Sequence, residues 1–135
     1  MTTNIFVNLP VQDLKKSMAF FSALGFSFNA QFTNDEAACM VVSALGYVML
    51  LTHEKFRTFT PNPISDAKTS TEVLVCLSAE SREKVTAMID KALAGGGTMF
   101  KAPTDYGFMY QHGFQDLDGH IWEIIYMDPS VIQKS

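Results

Sequence analysis

Two rhythms of hydrophobic positions recur along this chain, a strand-like alternation and a helical spacing of three to four. Asn4 to Val11 alternates and predicts a strand ending near Pro10. Asp13 then stands where an N-cap belongs, ahead of apolar residues at Leu14, Met18, Phe21 and Leu24. Gly25 supplies the stop for that helix. Phe26 to Phe32, Ala37 to Ala44 and Tyr47 to Thr52 read as three further strands, with a turn at Gly46. The first part of the chain is therefore expected to be βαβββ.

The pattern breaks between His53 and Ser70. Charged Glu54, Lys55 and Arg57 mix with Phe56 and Phe59, and Pro61 and Pro63 argue against regular structure. This segment reads as a connector, with too many aromatics to be wholly solvated, so it is expected to fold back over something. After it the first rhythm returns. Thr71 to Leu77 predicts a strand, and Ser81 caps a helix with Val85, Met88, Ile89 and Ala92 on one face. Gly95, Gly96 and Gly97 end that helix, and Thr98 to Ala102, Phe108 to Gln115 and Ile121 to Met127 supply three strands. Asp116, Asp118 and Gly119 form the tight turn that joins the last two into a hairpin. A βαβββ unit occurring twice predicts an α+β protein with helices packed on one side of curved mixed sheets. The expected organisation is a single domain over 1–135, with module one at about 4–52, a connector at 53–70 and module two at about 71–128.

Composition narrows the function classes. With 135 residues, 47% of them hydrophobic, and 11 Phe and 8 Met, the chain favours a folded core. A net charge of −4 with scattered Lys and Arg leaves no footprint for nucleic acid. No run is long enough for a membrane span, and Met1 to Pro10 does not read as a signal peptide. Cys39 and Cys76 lie far apart in no metal-type spacing, which fits a reducing cytoplasm.

One charge stands out. Glu123 lies mid-strand between Trp122 and Ile124, and a carboxylate there is costly unless it faces a wet cavity, a metal or a partner. Alternation leaves Glu123, Ile125 and Met127 on the face opposite Trp122, Ile124 and Tyr126. Asn8, on the same face as Phe6, either binds a ligand or bonds backbone at a cavity floor. Counting along Phe108 to Gln115 sets His112 beside Phe114 on the helix side and turns Met109 and Gln111 to the cavity. His120, just past the turn, is expected to be exposed, and His53 to lie at the cavity mouth or in water. No phosphate loop, nucleophile elbow or dinucleotide fingerprint is present.

Two segments carry a family likeness: Leu9-Pro10-Val11-Gln12-Asp13-Leu14 running to Leu24-Gly25-Phe26, and Asp116-Leu117-Asp118-Gly119-His120 running to Glu123. Together with the doubled βαβββ pattern, they resemble the vicinal oxygen chelate superfamily of glyoxalases, extradiol dioxygenases and fosfomycin and bleomycin resistance proteins. That resemblance implies sheets curved around a cavity, with metal ligands on the first and last strand of each module. Carried over, Glu123 and Glu72 fall on the ligand positions of module two, where they are candidate metal ligands and catalytic carboxylates. Glu72, at an expected strand start, is equally explained as a solvated charge. Phe6 and Leu50 fall on the positions of module one and cannot bind a metal, so the ligand set is incomplete. No tightly bound cofactor is expected, at most a weakly held divalent metal completed by water. The expected ligand is a small, partly apolar molecule in a cavity between the modules, among Phe6, Asn8, Leu50, Met109 and Gln111. Two functions stay open: a glyoxalase-like lyase or isomerase moving a proton through Glu123, or a bleomycin-resistance-like protein that sequesters without turnover. The resemblance also implies a homodimer.

Overall fold

A computed structural model describes residues 3–131. The chain forms two compact units, Met1–Ser65 and Asp66–Ser135. The first contains β1 (Ile5–Val11), α1 (Leu14–Ala23), β2 (Ser27–Phe28), β3 (Ala37–Val41), β4 (Gly46–Thr52) and the short α2 (His53–Phe56). The second contains β5 (Leu74–Ser78), α3 (Arg82–Ala94), β6 (Thr104–Asp105), β7 (Met109–Gln115) and β8 (Ile121–Met127). The two sheets share one topology. Their strand orders are β1-β4-β3-β2 and β5-β8-β7-β6, and neither sheet closes. In each, the first and last strands of the unit pair in parallel and the other pairs are antiparallel. No helix among the described residues is long and apolar enough to cross a membrane.

Each sheet buries one face under its helix. In the first unit, α1 packs on β3 and β4. Asp13 caps it by accepting from the Lys16 N–H at 3.1 Å. The buried stripe of α1 is Leu14, Ser17, Phe20 and Phe21, with Leu24 following at the C-cap. Beneath it lie Leu9, Val11, Ala38, Met40, Val48 and Leu50, all nearly or wholly inaccessible. Each such large aliphatic contributes about 1.5–3 kcal/mol relative to an exposed position. In the second unit α3 covers β7 and β8 through Val85, Ile89 and Ala92. Phe114 and Trp122, stacked with an interplanar angle of 5°, are buried on its sheet.

Several strands are shorter than the sequence predicts. The strand expected at 26–32 is only Ser27–Phe28, because Asn29 caps a 3₁₀ turn at Ala30–Phe32 by accepting from the Gln31 N–H. The third strand ends at Val41, where Ser43 Oγ accepts from the Gly46 N–H and starts the turn. The segment expected as a strand at 98–102 makes one bridge, Thr98 to Gln115. Pro103 lacks an N–H for a ladder, and pairing resumes at Thr104. The first strand of the second unit begins at Leu74, three residues later than expected at Thr71. The connector also contains the helix α2, capped by the Thr52 hydroxyl, which accepts from the Lys55 N–H.

Candidate functional site

Register assigns the open face of the first sheet. Asn8 pairs with Met49, Cys39 with Met49, and Ala37 with Leu51, so these side chains share the face that α1 leaves uncovered. Over this face lies a cavity of about 400 Å³ lined by Phe6, Asn8, Phe32, Ala37, Cys39, Met49, Leu51, Lys55 and Phe59. Its size falls within the usual range for small-molecule sites. The floor is dry: Ala37, Cys39 and Leu51 are buried. Burial pushes the Cys39 thiol pKa up, so it behaves as a small apolar group. The rim is aromatic and open, with Phe6, Phe32 and Phe59 each more than half exposed. Phe6 is stacked on Tyr47 at 4.9 Å between ring centres. α2 brings Lys55 to the mouth, where its ammonium lies 5.6 Å from the Phe59 ring centre and 4.0 Å from Glu36 Oε2.

Phe6 and Asn8 therefore line this cavity, and Leu50 does not. Leu50 is wholly buried on the α1 side, in register with Leu9 and Ala38. The run Val48-Met49-Leu50-Leu51 is apolar at every position, so alternation in sequence could not say which parity faces the helix. The resemblance set Leu50 at the cavity, and the register puts it on the helix side instead. Met49, Leu51, Ala37, Cys39, Phe32 and Lys55 are lining residues that sequence reasoning missed. Only the aromatics of the connector signalled that Phe59 would return to the sheet.

In the second unit Met109, Gln111 and Gly113 follow one parity of β7, and Glu123 pairs opposite Gly113 on β8. The Gln111 side-chain amide donates to the Glu123 carboxylate. Cys76 is the register neighbour of Glu123 on β5; it is exposed to solvent, and partial desolvation followed by the Glu123 charge raises its thiol pKa. The missing side chain of Gly113 makes room for Phe100, whose ring would lie 2.8 Å from an added Cβ. Glu72 is exposed in a bend two residues ahead of β5 and four upstream of Cys76, so it is not a register neighbour of Glu123. Glycine and a chain segment distant in sequence carry the Phe100 contact, and neither announces it in the sequence.

A divalent cation held tightly by protein needs about three protein donors. Among the described residues no group of three or more His, Cys, Asp or Glu could hold one. His112 is buried on the helix side, in register with Ile124. His120, expected at the surface, is 8% exposed, folded in beside Asp116. Asp116 is itself buried and accepts from the N–H groups of Asp118 at 2.9 Å and His120 at 3.0 Å and from the Trp122 indole at 2.9 Å. Burial raises its pKa, while the His120 charge and the donated hydrogen bonds act in the opposite direction. This cluster ties the hairpin turn to the buried Trp122 indole.

Residues 3–43 match the family described as bleomycin resistance protein-like N-terminal. No curated protein matches the sequence. A hypothetical protein from S. aureus is 28% identical, with a TM-score of 0.80 over 93% of this chain and 95% of that one. A glyoxalase/bleomycin resistance protein/dioxygenase family enzyme from Burkholderia phytofirmans is 19% identical, with a TM-score of 0.77 over 90% and 96%. An antibiotic binding protein from Streptomyces sp. is 17% identical, with a TM-score of 0.66 over 94% and 97%. The chain has the glyoxalase/bleomycin resistance fold, and its resemblance to the vicinal oxygen chelate superfamily stands.

Proposed function

We propose that this chain binds a small, partly apolar molecule in the cavity of its first unit and sequesters it without turnover. The observation that carries this reading is the cavity itself, with its dry floor of Ala37, Cys39 and Leu51 and its rim of Phe6, Phe32 and Phe59. Exposed aromatics around a dry floor are stabilised by covering them with a ligand ring, which a binding protein needs and a structural unit does not. The antibiotic binding protein of like fold lends support. A thermal-shift screen of small aromatic compounds tests it. Hits are expected, and Phe59→Ala should weaken them roughly tenfold, as fits the loss of an aromatic contact. Phe59 is 63% exposed, so the variant should fold. A screen without hits, or hits indifferent to Phe59→Ala, would overturn the reading.

A second reading has one observation in its favour. Glu123 is half-buried and bonded to the Gln111 amide, so its carboxylate is oriented and could accept a proton from a carbon acid in a glyoxalase-like lyase or isomerase step. A glyoxalase assay, with and without added divalent metal, is expected to give negligible turnover. Turnover abolished by Glu123→Gln would put this reading first. The proposal extends to a homodimer and to a cytoplasmic location. Free cysteines at Cys39 and Cys76 agree with the latter.

A further inference from the structure

Among the residues lining the cavity of the first unit, Lys55 alone is charged. Its ammonium is placed by three features. The Thr52 hydroxyl accepts from the Lys55 N–H at 3.2 Å and starts the turn of helix that carries the side chain. The Phe59 ring lies beneath the ammonium at 5.6 Å, a cation–π distance. Glu36 draws it from outside, yet at 4.0 Å this contact is longer than a charge-assisted hydrogen bond of about 2.8 Å. Glu36 is not among the lining residues, and its side chain is more exposed than that of Lys55, 56% against 37%. The cavity thus presents aromatic rings and an apolar floor to the body of a ligand, and one positive charge at its mouth.

Resting on the binding reading above, we infer that this cavity selects aromatic molecules bearing an anionic group, a carboxylate or its equivalent, and that Lys55 is the residue that selects them. The ring covers Phe6, Phe32 and Phe59 while the acid group meets the Lys55 ammonium in place of the loose Glu36 contact. A cationic ligand of the same shape meets like charge and is disfavoured. Selectivity of this kind has a local origin, because the chain as a whole carries a net charge of −4 and does not attract anions at long range.

Isothermal titration of the full chain with a matched pair, 2-naphthoate and 2-naphthamide, tests the inference. The two share a ring and nearly a shape but differ in charge. Naphthoate is expected to bind about three- to fivefold tighter, the range for a partly exposed ion pair. Lys55→Met keeps an apolar stem and should bring the ratio to about one. Glu36→Gln, which removes the competing carboxylate at the surface, should widen it. Equal affinities in the unsubstituted protein, or a preference that survives Lys55→Met, would overturn the role of Lys55 and leave the apolar cavity reading intact. Binding of neither compound would overturn both.

Discussion

Asp116 takes three donated hydrogen bonds on one buried carboxylate, from two backbone N–H groups and the Trp122 indole. An amide offers only one accepting oxygen, and its NH₂ would face a donor. Asp116→Asn is therefore expected to lower stability by about 1–3 kcal/mol in chemical denaturation, with a change in the near-ultraviolet signal of Trp122. Sequence reasoning found this residue as a turn former, since an aspartate can bond the N–H groups next to it. It could not find the indole, because Trp122 reaches back across six positions only once the hairpin has closed. Glu123 shows the reverse. Its parity on β8 was legible from the alternation around it, whereas its partner Gln111 comes from the opposite strand, through a register that only pairing reveals.

At the scale of elements, the 116–119 turn carries the strongest backbone demand. Gly119 has φ of +91°, and a Cβ there would meet the Lys68 backbone nitrogen at 2.9 Å. Gly119→Ala should cost about 1–3 kcal/mol, read as a lower denaturation midpoint with an unchanged slope. A second element-level device is the clip from α3 to the β6–β7 loop. Arg82 donates to Asp105 at 2.8 Å and to the Gly107 carbonyl at 2.9 Å, with its guanidinium 5.5 Å from the Tyr110 ring. The Gly107 N–H and the Arg82 guanidinium hold the Asp105 carboxyl below the usual aspartate range. Its folded pKa is thus lower than its unfolded value of about 4, so its stabilising contribution is present above that value and lost as pH falls through the folded pKa. An acid titration of unfolding should show a steeper loss for the unsubstituted protein than for Arg82→Ala below about pH 4. Equal profiles would show that the clip contributes nothing. Elements with clear caps, such as α1 after Asp13 and α3 after Ser81, were legible in the sequence. The short β2 and β6 were not, since two-residue strands exist through their partners and carry almost no periodicity.

For the whole molecule, open sheets raise the question of association. β1 and β5 are edge strands, and Ile5, Phe6 and Leu74 on them are each more than half exposed. A strand at the edge of its sheet offers backbone N–H and C=O groups for pairing, which the proposed homodimer would satisfy. Light scattering at micromolar concentration is expected to report a dimer, and a monomer would refute it. Local chemistry along the chain determined the repeated βαβββ order, the helix caps, the tight turn at Gly119 and the open-face parity of Phe6 and Asn8. Those features depend on contacts within a few residues or on a period that polar positions mark. Leu50, His120, Glu72 and the Lys55–Phe59 mouth were decided only in three dimensions. An unbroken apolar run does not reveal its parity, burial of a histidine depends on what packs against it, and a connector finds its place through a surface assembled from distant segments. Tertiary structure chose among these because their energies belong to neighbours that the linear order does not supply.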